Sequence, residues 1–169
     1  MGAFSLMGNE NAEQIIVTRS VSETMGLGRS IARSLKSGSI VAMDGPLGSG
    51  KTVLVRGMVD ELGGNTALVG SPTFGLVHEY PISGDRRLVH MDCYRMSSRE
   101  DLDSIGWSGF AGEEDSITVV EWADRISGAL PENVVRVLAG HVAQDSRVFE
   151  IQGVKIQAES SSSSPGEMP

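Results

Sequence analysis

Residues 45–52 read GPLGSGKT and match the pattern G-x-x-x-x-G-K-[ST] at every fixed position. Glycines let successive backbone N–H groups turn inward around phosphate oxygens, and a helix that begins here adds its free N–H groups and the positive end of its dipole. Lys51 would reach the β- and γ-phosphates, and the Thr52 hydroxyl would bind Mg²⁺. The loop therefore predicts a nucleoside triphosphate site. Its predicted binding residues are Gly45, Leu47, Gly48, Ser49, Gly50, Lys51 and Thr52.

Two acidic residues end apolar runs and are candidates for chemistry beside this loop. Glu121 follows the run 117–120, and Asp92 follows the run 88–91. Hydrolysis at such a loop needs an acid that acts on the metal or prepares the attacking water. The run 117–120 is the more apolar strand, which favours Glu121 as the metal ligand together with Thr52, and Asp92 as the group that orients or deprotonates the water. A place for Asp92 on the metal side stays open, as does a solvated strand end for either acid.

The segment 71–74 reads SPTF and lies between the loop helix and the strand that ends at Asp92. The hydroxyls of Ser71 and Thr73 could sense the γ-phosphate or the metal. A turn around Pro72 with an exposed Thr73 is an equally good interpretation. Thr73 is therefore a candidate nucleotide-binding residue.

The loop 45–52, Asp92 and Glu121 can act together only if parallel strands bring them to one edge of a sheet. Strand and helix patterns alternate along the chain, as expected for such a parallel sheet. β-like runs lie at 14–18, 40–43, 76–80, 88–92, 117–121, 134–138 and 148–151, and helical patterns at about 20–35 and 51–62, with a short helix ending near Gly106. Apolar side chains at i, i+4 and i+8, such as Leu27, Ile31 and Leu35, mark the first helix. The predicted fold class is α/β: a P-loop NTPase-type three-layer sandwich with a mostly parallel central sheet and an antiparallel C-terminal strand pair.

Composition narrows the class of protein further. The chain has 169 residues, a net charge of −8, 21 glycines and a single cysteine, Cys93. That charge argues against binding nucleic acid alone through a broad basic face, and one cysteine excludes an internal disulfide. We expect a flexible leader at 1–11, one domain at 12–157 and a disordered serine-rich tail at 158–169. The chain has no secretory pattern and no apolar run long enough for a membrane span, so a cytoplasmic location is expected.

Four strings occur in a set order: GPLGSGKT at 45–52, SPTFGLVHEY at 71–80, HMDCYR at 90–95 and VVEW at 119–122. Together they resemble the TsaE family, the P-loop ATPases of bacterial tRNA threonylcarbamoyladenosine biosynthesis. The resemblance implies a compact P-loop fold that hydrolyses ATP, slowly when alone. It also implies work with TsaB and TsaD, which transfer the threonylcarbamoyl group to the adenosine beside the anticodon in tRNAs reading codons that begin with A. The chain would then meet tRNA only through that complex.

The resemblance also implies roles for particular residues. Thr52 and Glu121 match the family's Mg²⁺ ligands, Lys51 its phosphate-binding lysine, Asp92 the acid required for hydrolysis, and Trp122 an aromatic residue beside the nucleotide. By position alone, the residues that flank the nucleotide are Val21 and Ser146. The chain departs from the usual family pattern at Pro46, Cys93 and Ala123, and none of these removes a charge that hydrolysis needs.

Two other functions fit the loop. The chain could be a nucleotide-gated binding subunit with negligible turnover, or a small-molecule phosphotransferase whose arginines close over an acceptor. A GTPase would need an N-K-x-D type motif, which the sequence lacks. Arg95 fits either a salt-bridged surface residue or a contact to the partner or the nucleotide.

Overall fold

A seven-stranded mixed β-sheet runs through the part of the chain that the computed structural model describes, residues 13–72, 76–96 and 98–156. The strands are β1 (Gln14–Thr18), β2 (Ile40–Asp44), β3 (Val77–Ile82), β4 (Arg86–Asp92), β5 (Ser116–Glu121), β6 (Val135–His141) and β7 (Arg147–Gln152). The helices are α1 (Val21–Ser34), α2 (Lys51–Glu61) and α3 (Arg99–Ser104), and short 3₁₀ turns lie at Thr66–Leu68, Trp107–Gly109 and Ala123–Ala129. The leader, the tail and Thr73 lie outside the described residues.

The strand order is β1-β7-β6-β2-β5-β4-β3. The four central strands β6, β2, β5 and β4 pair in parallel, and β6 pairs antiparallel with β7, so the expected parallel centre and C-terminal pair are both present. The sheet as a whole is mixed because β1 pairs antiparallel with β7 and β3 with β4. The β3–β4 hairpin was not expected from the sequence. Its turn reverses the chain through positive φ angles at Gly84 and Asp85.

Both faces of the sheet are buried, because alternate residues of the central strands enter two separate cores. On one face, Val41 and Val119 pack with α1 and α2. On the other, Ala42 and Val120 pack with the segment that contains α3 and the 3₁₀ turns. The β5 strand is buried along its whole length, as its apolar run predicts.

Helices α1 and α2 pack against each other at two glycines. A β-carbon on Gly28 would overlap the carbonyl oxygen of Leu54, and one on Gly57 would overlap the carbonyl oxygen of Met25. Only glycine allows the two backbones to approach this closely. The α1 helix begins after Ser20, whose hydroxyl accepts a hydrogen bond from a backbone N–H of the first turn. The crossing therefore fixes α2, the helix that follows the phosphate-binding motif, against its neighbour.

Helix positions agree with the sequence patterns to within about two residues at each end. Leu27 and Ile31 are buried as the first helical stripe predicts, and Leu35 packs against the same core at the helix end. The short α3 begins with a capping box between Ser98 and Asp101. None of the helices in the described part of the chain is long and apolar enough to cross a bilayer.

Candidate functional site

The loop between β2 and α2 has a backbone that only glycine adopts easily. Gly45, Gly48 and Gly50 all have positive φ angles, of 140°, 76° and 97°. A β-carbon on Gly45 would also overlap the carbonyl oxygen of Ala139 in β6. Gly50 is the N-cap of α2 and no side chain caps the helix there, so the first turn presents backbone N–H groups to an anion. The predicted loop conformation and the predicted helix start are both found.

The Lys51 amine is folded back onto this loop. Its Nζ donates hydrogen bonds to the carbonyl oxygens of Gly45 at 2.8 Å and Pro46 at 3.1 Å. The same Nζ lies 5.2 Å from the centre of the Trp122 ring, a cation–π distance. The side chain is therefore held at the loop by weak neutral acceptors, which a phosphate oxygen can replace with a stronger, charge-assisted bond.

Burial lowers the pKa of the Lys51 amine below its ordinary value. Negative charges act in the opposite direction and favour the charged amine; they belong to Glu121, Asp92 and Asp44. Burial also raises the pKa of Asp44, whose carboxylate accepts a hydrogen bond from the backbone N–H of Asp124 at 3.1 Å. The structure thus brings the predicted lysine and both predicted acids into one electrostatic neighbourhood, and adds Asp44 to it.

The two predicted acids lie side by side at the ends of β4 and β5. Asp92 and Glu121 are direct partners in the parallel register of these strands, and both are buried. The Asp92 carboxylate accepts a hydrogen bond from the backbone N–H of Tyr94 at 2.8 Å. The Glu121 carboxylate is bonded instead to the ring of His90, with 2.8 Å between Oε1 and Nε2. Each acid is thus fixed in place, by the backbone in one case and by a side chain in the other.

The Ser49 hydroxyl is completely buried in the loop and has no hydrogen-bond partner among the described residues. An unpaired buried polar atom is costly and needs an explanation. A phosphate oxygen bound in the loop would supply an acceptor for this hydroxyl. Together with the free helix start and the Lys51 amine, Ser49 gives the loop the donor chemistry that a polyphosphate requires.

A divalent cation at this site would need oxygen ligands from the nucleotide as well as from the protein. Within residues 13–72, 76–96 and 98–156, no three His, Cys, Asp or Glu side chains are grouped to hold a metal ion by themselves. The predicted ligands are the half-buried Thr52 and the buried Glu121. One hydroxyl and one carboxylate, completed by phosphate oxygens and waters, suit Mg²⁺, which is rarely bound by protein ligands alone.

Two aromatic side chains, Trp122 and Tyr94, pack against each other beside Lys51. Trp122 directly follows β5 in a left-handed conformation with φ 58°, which a bulky residue adopts only at a cost. The centres of the Trp122 and Tyr94 rings are 5.0 Å apart. The Arg125 guanidinium carbon lies 5.7 Å from the centre of the Tyr94 ring. The strained backbone thus places Trp122 next to Lys51, where a nucleotide-binding residue was predicted.

Residues at the two ends of the turn between β6 and β7 form hydrogen bonds with the loop 45–52. Arg147 donates from Nε to the carbonyl oxygen of Gly48 at 3.0 Å, and the His141 ring is bonded to the carbonyl oxygen of Leu47 at 3.2 Å. This turn contains the predicted residue Ser146, which directly precedes Arg147. Leu47 itself is 90% exposed.

The first turn of α1 also borders the loop. A β-carbon on Gly50 would lie 3.6 Å from a methyl group of Thr24 and 3.8 Å from a side-chain carbon of Arg147. Val21, the first residue of α1, is 61% exposed. The two residues placed by position alone, Val21 and Ser146, therefore belong to segments that flank the loop.

Sequence reasoning missed three residues of this neighbourhood: His90, Arg147 and Asp44. His90 lies two residues before Asp92, on the same side of β4, and this strand spacing could have marked it. Asp44 directly follows the apolar run 40–43, so the signal that marked Asp92 and Glu121 could have found it as well. Arg147 carries no such mark, because its contact to Gly48 depends on how β7 folds over the loop. Thr73 lies outside the described residues, so its predicted role stays a prediction.

The sequence was compared with protein families and with known proteins. The family model "Threonylcarbamoyl adenosine biosynthesis protein TsaE" matches residues 18–149. The "tRNA threonylcarbamoyladenosine biosynthesis protein TsaE" of Treponema pallidum is 36% identical over 135 residues, covering 80% of this chain and 97% of that protein. The protein of the same name from Bacillus subtilis is 34% identical over 133 residues, covering 78% of this chain and 80% of that protein.

A solved structure extends the likeness to the fold. The crystal structure of YdiB from Bacillus subtilis superposes with a TM-score of 0.65 at 26% identity, covering 89% of this chain and 90% of that one. The family model spans both flanks of the loop, the two acids and Trp122. By this match and by the identity to its curated relatives, the chain belongs to the TsaE family of threonylcarbamoyl adenosine biosynthesis proteins.

Proposed function

We propose that this chain is a Mg²⁺-dependent P-loop ATPase required for threonylcarbamoyladenosine modification of tRNA, and that it acts with a TsaB–TsaD-like heterodimer. The observation that carries the proposal is the loop 45–52, whose buried Lys51 amine rests on loop carbonyls within the field of three carboxylates. In this proposal the fold is a P-loop three-layer sandwich, with helices on both faces of the sheet. The modified base is the adenosine beside the anticodon in tRNAs reading codons that begin with A.

Each residue of the site has a definite task in this proposal. The loop N–H groups, Ser49 and Lys51 bind the phosphates, and the Lys51 amine exchanges its carbonyl acceptors for phosphate oxygens. Thr52 and Glu121 would hold Mg²⁺, which would neutralise charge on the phosphates.

Asp92 lies beside Glu121 in the strand register and is the proposed general base. Its carboxylate orients the attacking water and accepts its proton. The backbone N–H of Tyr94 holds that carboxylate in place. Two acids at adjacent strand ends therefore divide the work, one on the metal and one on the water.

The negative net charge supports an indirect route to tRNA. A net charge of −8 does not favour binding a polyanion without a partner. ATP is accommodated nevertheless, because a small ring of N–H groups, one lysine and a metal ion balance its charge locally. The partner proteins would supply the contacts to tRNA.

The proposal is tested by replacing the loop lysine. We expect Lys51→Ala to abolish ATP binding and to stop modification of tRNA when the chain is mixed with TsaB, TsaD and a source of the threonylcarbamoyl group. Lys36→Ala, at an exposed lysine after α1, is the matched control and should behave as the unchanged chain. The proposal is wrong if Lys51→Ala retains both ATP binding and tRNA modification. Rapid phosphorylation of a small acceptor by the unchanged chain would point to a phosphotransferase instead.

A further inference from the structure

His90 and Glu121 form a hydrogen bond between two buried side chains at the site. The His90 side chain is fully buried and that of Glu121 is only 6% exposed. Their atoms Nε2 and Oε1 are 2.8 Å apart, a good hydrogen-bond distance. A polar pair this far from water is costly to form, so its presence at the end of β5 needs a reason.

The strand register explains how the pair forms. In the parallel β4–β5 pair, His90 lies opposite Val119 and Asp92 lies opposite Glu121. Residues two apart on a strand share a face, so His90 lies one step back from the strand ends, on the same face as both acids. Its ring therefore reaches the Glu121 carboxylate from within the protein and leaves the solvent side of the site free.

The hydrogen bond fixes which ring nitrogen carries the proton. An ionised carboxylate can only accept, so Nε2 must be the donor. The other nitrogen, Nδ1, is buried without a hydrogen-bond partner among the described residues. The Tyr80 ring packs beside the imidazole, with 6.3 Å between ring centres. Packing and the bond to Glu121 together hold the ring in one orientation.

We propose that His90 is a positioning residue for the metal ligand: its Nε2–H engages one oxygen of Glu121 and thereby presents the other oxygen to Mg²⁺. This inference rests on the proposed function. Partners of metal ligands fix the ligand's orientation, and removing them typically costs about 10- to 100-fold in metal affinity or activity. The Asp92 carboxylate accepts a hydrogen bond from the backbone N–H of Tyr94.

Two substitutions of His90 test whether its effect depends on the hydrogen bond that it donates to Glu121 or only on a polar side chain at this position. In His90→Gln the amide nitrogen lies near the place of Nε2 and can still donate to Glu121. In His90→Asn the side chain is too short for its amide to reach the carboxylate. The control is His78→Asn, because His78 faces His90 across the β3–β4 pair and the structure gives it no bond to Glu121.

The measurement is calorimetric binding of adenylyl imidodiphosphate, an ATP analogue that is not hydrolysed, with Mg²⁺ and with EDTA. We expect His90→Asn to lose about 10-fold in affinity with Mg²⁺ and to bind as the unchanged chain does in EDTA. His90→Gln and His78→Asn should both retain the Mg²⁺ effect. Urea unfolding of each variant establishes that the chain is folded.

The outcomes distinguish this inference from the function on which it rests. An unchanged chain that does not bind the analogue at all overturns the proposed function and the inference with it. If the unchanged chain binds with a Mg²⁺ preference and His90→Asn keeps that preference, the inference alone is overturned. Equal loss with Mg²⁺ and in EDTA, or a folded His90→Gln that behaves as His90→Asn does, also overturns it, since either result means a structural role.

Discussion

The ends of β4 and β5 carry two neighbouring carboxylates that are held in different ways. Asp92 accepts a hydrogen bond from a backbone N–H only two residues further along the chain. Glu121 is bonded to the side chain of His90, which is 31 residues away. Local backbone geometry fixes the first acid, whereas the second depends on the register of two strands. The difference is consistent with the roles proposed above, Asp92 accepting a proton from water and Glu121 presenting an oxygen to Mg²⁺.

Removing the charge of Asp92 is the most direct test of whether the two acids have different roles. We expect Asp92→Asn to lower ATP turnover by about 10²- to 10⁴-fold, the usual contribution of a general base. Binding of Mg²⁺ and ATP should change little, because the proposed metal ligands are Thr52 and Glu121. The measurement is phosphate release in the presence of the partner proteins, with Asp103→Asn on the exposed side of α3 as control.

A second outcome of the same variant bears on the alternative function. If Asp92→Asn loses hydrolysis but still supports tRNA modification, the chain is a nucleotide-gated binding subunit. If turnover is unchanged, Asp92 has no part in the chemistry and the two acids do not divide the work.

Removing the charge of Glu121 should have the complementary effect. We expect Glu121→Gln to weaken ATP binding by about 10-fold or more with Mg²⁺, because a ligand contributes at least as much as its orienting partner. Binding in EDTA should change much less. The exposed Glu113→Gln is the control, and calorimetry is the measurement. An unchanged Mg²⁺ effect would remove Glu121 from the metal site.

The smallest expected effect concerns Cys93, the residue that directly follows Asp92. Burial, and then the charges of Asp92, Asp44 and Asp124, raise the pKa of its thiol to about 12. Between its ordinary value of 9.0 and that value, the folded chain keeps a proton that the unfolded chain loses. Stability therefore falls as the pH rises through this range.

We expect Cys93→Ala to remove part of this alkaline loss of stability. The measurement is urea unfolding of both chains at about pH 8, below the range in which the thiol contributes, and at about pH 10.5, within that range. At the lower pH the substitution should cost about 1 kcal/mol or less, because it removes one small buried group. Equal pH dependence in the two chains would mean that the thiol titrates normally in the folded state.

The sequence predicted most of the elements and the local parts of the site. The loop 45–52 depends on residues adjacent in the chain, so its pattern alone predicts both the positive φ angles and the helix start. The acids at the ends of β4 and β5 were found because apolar runs mark buried strands. These predictions need no knowledge of which strands are neighbours.

The remainder depends on contacts that no local pattern contains. Arg147 bonds Gly48 from 99 residues away, and His90 meets Glu121 only because β4 and β5 are adjacent and in one register. The β3–β4 hairpin was missed for a related reason. Two strands separated by a short turn can pair directly or be separated by others, and composition alone does not decide between these arrangements.

The glycine crossing of α1 and α2 has a genetic consequence. Gly28 and Gly57 lie on the helices that pack on the sheet and touch none of the residues proposed to bind the nucleotide in any contact described above. A single added methyl group at either position would nevertheless push α2 away from α1, and with it Lys51 at the helix start. A screen for inactive alleles should therefore recover alanine substitutions at these two glycines alongside changes in the loop itself.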